Sequence, residues 1–184
     1  EAYVSTAASP YTDALAIQAI KLVLENIVTA YEHGDNMEAR NNMHNASALA
    51  GMAFTNASLG LIHSLAHKIG GEFGITHGLT NAILLPYIIQ FNRKSTDKVS
   101  KLEKDLGIEN LSSCIKELNE KLDIPLNFKD VTEVDMNEDK FKEVLVRMSE
   151  NAYNDPCTAT NPRESDPKIV EMIYTSAYYG KDID

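Results

Sequence analysis

The sequence predicts an all-α fold, a multi-helix, bundle-like domain, on three observations. Apolar residues recur with helical spacing along nearly all of the 184 residues. Strand-type alternation is sparse, and Ile124 to Phe128 is at most a short extended stretch. No internal repeat, low-complexity tract or linker interrupts the chain, so residues 1–184 read as one helical domain. The 43% apolar fraction is enough to fill a core at this length. About seven to nine helices are expected.

Each element has its own signal. Ser9-Pro10-Tyr11-Thr12-Asp13 has the form of a helix start with proline in the first turn, and Ala14, Leu15, Ile17, Ile20, Leu22, Val23, Ile27 and Val28 continue as a broad apolar stripe. This helix runs to His33, where Gly34-Asp35 stops it. A second begins near Asn36 and carries Ala46, Ser47, Ala48, Ala50, Gly51 and Ala53, a face small enough for close packing, read here as the bed of the next helix. That third helix bears His63 and His67, and Gly70, Gly71 and Gly74 are expected to end it and let the chain double back. Leu79 to Asn92 is apolar on nearly every side, which marks a buried central helix with a kink at Pro86. Asp97 to Asp105, Asn110 to Leu122 and Asn137 to Tyr153 intersperse charged and apolar residues as amphipathic helices do, with Asp123-Ile-Pro125 closing the second of them. Pro167 to Tyr179 is the last.

Chemistry concentrates in the run from Gly60 to Gly78, which holds three of the five histidines. His63 and His67 are four residues apart and share one helix face. The glycine-rich break could return His77 to the same place. Neutral imidazole is the commonest metal ligand, and converging imidazoles suit zinc, iron or another first-row ion. A single histidine on an apolar helix face is by default a hydrogen-bonded core residue; three around a glycine break shift the balance towards a metal site. His33 and His44 lie in polar surroundings and read as exposed.

The run Ala53-Phe54-Thr-Asn56-Ala57-Ser-Leu-Gly60-Leu-Ile-His63-Ser-Leu-Ala-His67-Lys-Ile-Gly70-Gly71, then Thr76-His77-Gly78, Asn81-Ala82-Ile-Leu-Leu85-Pro86 and, much later, Thr160-Asn161-Pro162-Arg163, closely resembles the signature of the iron-containing, group III alcohol dehydrogenases. The resemblance implies a dehydroquinate-synthase-like helical domain, the C-terminal half of a two-domain subunit. The other half in that family is an N-terminal α/β domain that binds the dinucleotide on a glycine-rich phosphate loop, and no such loop follows a strand-like run here. In the family, the opening Glu1-Ala-Tyr3-Val-Ser5 follows an Asp-x-x-x-His segment that supplies two metal ligands. His63 and His77 are thereby implied as the other two ligands of a four-residue cage.

By the same resemblance His67 is the catalytic, cofactor-binding residue beside the nicotinamide and the substrate oxygen. Phe54 lines the substrate cleft, although an aromatic on a helix is core by default, and Cys157 approaches the same pocket. The implied reaction interconverts a primary alcohol or short diol with its aldehyde or ketone, using NAD or NADP and Fe2+, with Zn2+ as the substitute ion. Implied partners are a small alcohol or aldehyde, the missing nucleotide-binding domain and further copies of the chain, since an uncovered interdomain face favours a homo-oligomer. The chain alone is expected to be inactive. Two other readings stand beside this one. A zinc-dependent glycerol-dehydrogenase-like or dehydroquinate-synthase-like enzyme would share the architecture, but usually has a longer spacing than the fourteen residues from His63 to His77. A non-catalytic helical assembly domain would keep the scaffold for packing.

A net charge of −10, with acidic residues weighted to the second half, argues against a nucleic-acid partner, whose phosphates demand clustered Lys and Arg. No apolar run approaches the roughly 18 residues that span a bilayer and no signal peptide opens the chain, so no membrane partner is expected and the location is read as cytoplasmic. Cys114 and Cys157 lie far apart without CxxC spacing and read as free thiols in a reducing compartment.

Overall fold

The computed structural model describes residues 1–183. Among these are eight α-helices, two short 3-10 turns and no strand. The helices are α1 (Pro10–Glu32), α2 (Met37–Ala57), α3 (Leu61–Phe73), α4 (His77–Arg93), α5 (Lys98–Leu106), α6 (Leu111–Lys121), α7 (Glu138–Tyr153) and α8 (Pro167–Tyr179). The count and most boundaries follow the sequence expectation because the caps are strong. At α1 the Ser9 hydroxyl accepts from the Thr12 N–H at 3.3 Å while the Thr12 hydroxyl accepts from the Ser9 N–H at 2.8 Å, a reciprocal box with Pro10 beside it. Asn36, Asn110, Asn137 and Asp166 each accept from a first-turn N–H of α2, α6, α7 and α8.

Three expectations are corrected. Gly70 and Gly71 lie inside α3, and Gly74 alone ends it, with φ of 75°. Gly70 serves close approach instead: a Cβ there would stand 3.1 Å from the Ile75 carbonyl oxygen. The small face of α2 is laid along α1 rather than under α3, so the first two helices form an antiparallel pair of their own. Finally, α1 is long and apolar enough, by length and composition alone, to cross a bilayer, a property the run-length reading of the sequence missed.

Burial divides the core in two. One cluster joins α3, α4, α7 and α8 through Leu61, Leu65, Ile69, Leu84, Phe91, Phe141, Met148, Ile173 and Tyr178. The other joins Tyr3 and the α1–α2 pair to Ile89, Val99, Leu102 and Leu111. α4 sits between them and is buried on both sides, as its all-round apolarity predicts.

Pro86 interrupts α4 at a cost that α6 offsets. Proline has no N–H, so the Ala82 carbonyl loses its helical donor. The buried Asn119 side chain supplies one, its Nδ2 donating to Ala82 O at 2.9 Å, and the Ser112 hydroxyl donates to Pro86 O at 3.0 Å. Replacing Asn119 by Ala therefore leaves a buried carbonyl unpaired and should cost about 1–3 kcal/mol in urea unfolding. In a Pro86→Ala background the restored N–H takes that carbonyl. The cost of Asn119→Ala should then shrink by roughly 1 kcal/mol in a double-mutant cycle.

Candidate active site

The site is organised around the N-terminus of α3, whose first N–H groups have no helical acceptor. Gly60 offers no side chain to cap them. Two distant residues do so: Asn161 Oδ1 accepts from Leu61 N at 3.3 Å, and Glu1 Oε1 accepts from Ile62 N at 2.6 Å and His63 N at 3.4 Å. Gly60 leaves room for this approach, since a Cβ would stand 3.0 Å from Glu1 Oε1 and 3.1 Å from Asn161 Oδ1 and both side chains would have to give way. Asn161 also exchanges hydrogen bonds with Asn92 at 3.0 and 2.8 Å, while Arg163 donates to Phe91 O at 2.9 Å and stacks on the Phe91 ring. The Asn-Pro-Arg motif is thus a clamp between the start of α3 and the end of α4.

From that anchored end the three histidines converge. Ring centroids lie 5.2 Å apart for His63 and His77, 6.0 Å for His63 and His67, and 5.8 Å for His67 and His77. His63 and His67 come one turn apart on α3; His77 is the first residue of α4, returned by the tight turn at Gly74. His33 and His44 are exposed on the surface, apart from this group.

Each ring has one nitrogen engaged by a neighbour. His63 Nδ1 bonds to Glu1 Oε2, His67 Nδ1 to Asp155 Oδ2 at 3.1 Å, and His77 Nε2 to the Asn81 amide at 2.9 Å. The other Asn81 side-chain atom, Oδ1, is buried without a partner. Asp155 is itself buried, with Oδ2 also taking the Lys68 ammonium at 2.8 Å and Oδ1 the Cys157 N–H at 3.0 Å.

These contacts set the charge states. Burial pushes the Glu1 carboxyl up, but its hydrogen bond to His63, the attraction of that ring and the Ile62 N–H act against it, and the group is held below its ordinary range. Burial likewise opposes ionisation of Asp155, and Lys68, the Cys157 N–H and His67 together bring it well below the usual carboxylate range. His77 is lowered by burial and by the two neighbouring imidazoles, against the pull of Glu1, which favours its neutral, ligating form. Cys157 is pushed up to about 11 by burial and by Asp155, so its thiol stays protonated at neutral pH.

Phe54 is exposed and lines a cavity of about 350 Å³ together with His63, Glu1 and Asn81 and with Ala16, Ala19, Ala50 and Ala53. Cys157 stands elsewhere, on the Asp155 side of His67, with ligand atoms of His67, Asp155 and Cys157 all within 4.8 Å of one another. Sequence reasoning missed Glu1, Asn81 and Asp155 as partners of the histidines. A signal existed for Asp155, which precedes Pro156 as a capping residue and sits close to the Asn-Pro-Arg motif.

Solved structures of like fold are dehydrogenases and oxidoreductases. An iron-containing alcohol dehydrogenase from Thermococcus thioreducens matches 98% of this chain and 47% of its own at a TM-score of 0.88 with 36% identity. A 1,3-propanediol oxidoreductase matches 97% of this chain and 48% of its own at 0.86 and 33%. The fold is that of the helical half of such enzymes. The chain belongs to the Fe-containing alcohol dehydrogenase family, whose C-terminal family model matches residues 1–178. A curated relative, an NADPH-dependent butanol dehydrogenase of Clostridium saccharobutylicum, is 44% identical over the whole of this chain and 49% of its own length. The chain therefore spans about half the length of each of these three proteins.

Two outcomes follow from the clamp and the buried carboxylate. Asn161→Ala strands the Leu61 N–H and the Asn92 amide and should lower stability by about 2–6 kcal/mol in chemical unfolding, at about 1–3 kcal/mol per orphaned group. Asp155 has a depressed folded pKa, so its ionic contribution is present above the unfolded value near about 4 and is lost as pH falls through the folded value. Lys68→Met should consequently destabilise by about 1–2 kcal/mol at pH 7 and progressively less below about pH 4, read from urea curves across pH.

Proposed function

We propose that this chain is the metal-holding half of an alcohol dehydrogenase that interconverts a small alcohol or diol and its carbonyl product with NAD or NADP and an iron ion. The observation that supports it most is the convergence of His63 and His77, with ring centroids 5.2 Å apart and one nitrogen of His63 already engaged by a carboxylate. A metal-ligating histidine characteristically bonds its other nitrogen to a carboxylate or carbonyl, which fixes the tautomer and leaves the second lone pair for the ion. Two neutral imidazoles fit ferrous iron, and zinc as a substitute.

His63 and His77 are the residues that would hold the ion. When bound, it supplies a Lewis acid that stabilises the alkoxide form of the substrate oxygen. The chain's own residues do the rest of the placing. Glu1 orients His63 while capping α3, so ring and helix are aligned by one side chain. The cavity beside His63, lined by alanines and by Phe54, offers an apolar seat for the carbon chain of a small alcohol. His67 stands within 6.0 Å of both other rings and is the group suited to hold or pass on the substrate proton. The butanol and propanediol names of the relatives agree with a short aliphatic substrate. Because this chain covers half of such enzymes, the dinucleotide site is assigned to an N-terminal partner domain.

The test uses the two-domain parent. His63→Ala and His77→Ala should each abolish alcohol oxidation, a loss exceeding the roughly 100-fold that follows removal of an outer partner, and should lower the iron content measured by elemental analysis. The 184-residue chain alone should show no appreciable turnover with either nucleotide. Full activity after both substitutions would overturn the proposal.

A further inference from the structure

We infer that Asp155 is a positioning residue which holds His67 as its Nδ1–H tautomer, leaving Nε2 as the proton-accepting nitrogen beside His63 and His77. The inference rests on the functional reading of His67 above, but its structural half stands alone. Asp155 is 8% exposed and lies on the turn before Pro156, eighty-eight residues away in sequence from the ring it meets. Its Oδ2 faces His67 Nδ1 at 3.1 Å. A carboxylate accepts only, so a bond at that nitrogen requires the proton to be on it. Which imidazole nitrogen carries the proton is decided by the partner of the other. Among the described residues no partner engages His67 Nε2, and the side chain is 41% exposed, which leaves that nitrogen open to substrate.

The surroundings explain why the carboxylate stays ionised. Lys68, one residue beyond His67, brings its ammonium to the same Oδ2 at 2.8 Å, and the Cys157 N–H binds Oδ1 at 3.0 Å. Both oxygens are thus held, and the acceptor presented to His67 is rigid. The same three residues, His67, Asp155 and Cys157, have the donor types of a soft-metal site. The ammonium already seated on Oδ2 competes with a cation there. The positioning role is favoured on that ground.

The variant to use is Asp155→Ser, because serine still caps the Cys157 turn while its short neutral side chain cannot reach the ring. In [15N]His-labelled chain at pH 8, two-bond proton–nitrogen spectra should show His67 as the Nδ1–H form. Asp155→Ser should lose that dominant pattern, and Lys68→Met should keep it. In the two-domain parent, Asp155→Ser should lower kcat roughly 10- to 100-fold, the range for removing a partner that orients a functional histidine, with KM for the alcohol little changed. A wild-type His67 in the Nε2–H form would overturn the inference even if the serine variant failed to fold, and so would an Nδ1–H pattern that survives the substitution. A thiolate-to-metal absorption band on CdCl2 titration that disappears in Cys157→Ser would replace it with the metal reading. A failure of the dehydrogenase assignment appears separately, as turnover that survives loss of His63 and His77.

Discussion

The start of α3 is the point on which the rest of the site depends. Three backbone N–H groups there need acceptors, and they receive them from residues 1 and 161, both far from α3 in sequence. Helix termini are commonly capped by a neighbour in sequence. Here Gly60 gives up that option, and the missing local cap becomes a long-range tie that fixes where the first and last segments lie. His63 follows directly, then His67 one turn on, and the Gly74 turn sets His77 against them. An error in the position of α3 would propagate to every imidazole.

The same junction solves an electrostatic problem. Two carboxylates, Glu1 and Asp155, are buried in a region with three titratable rings, and an unpaired buried charge would be costly. Each is instead saturated: Glu1 by His63 and two backbone groups, Asp155 by His67, Lys68 and a backbone group. The hydrogen bonds outweigh the desolvation of both carboxyls, which stay ionised. Of the three rings, His77 is disfavoured as a cation first by its own burial and then by the two imidazoles that face it.

Much of the fold was legible because helices announce themselves locally. Ser9-Pro10, Asn36, Asn137 and Asp166-Pro167 mark their starts within a residue, through caps that act over a single turn. The convergence of His63, His67 and His77 was legible for the same reason, since it needs only one helical turn and one glycine turn. What the sequence did not disclose is non-local. The partners Glu1 and Asp155 lie about sixty and ninety residues from their histidines, and no periodicity links them. Gly70 and Gly71 resemble a helix stop by composition, yet Gly70 is demanded by the approach of the Ile75 carbonyl, a contact visible only once α3 and α4 have packed. The small residues of α2 promised close packing correctly but could not say against which helix.

That last ambiguity bears on the cavity. Alanines on α1 and α2, Ala16, Ala19, Ala50 and Ala53, are too short to fill the space between this helix pair and the start of α3. Large side chains on the same faces would close it, as they do in the cluster between α3, α4, α7 and α8, where leucines and aromatics interdigitate. The opening is therefore written into residue size rather than into a bend of the backbone. Glu1, His63 and Asn81 line the same cavity, so the side chain that anchors α3 also supplies part of its polar lining.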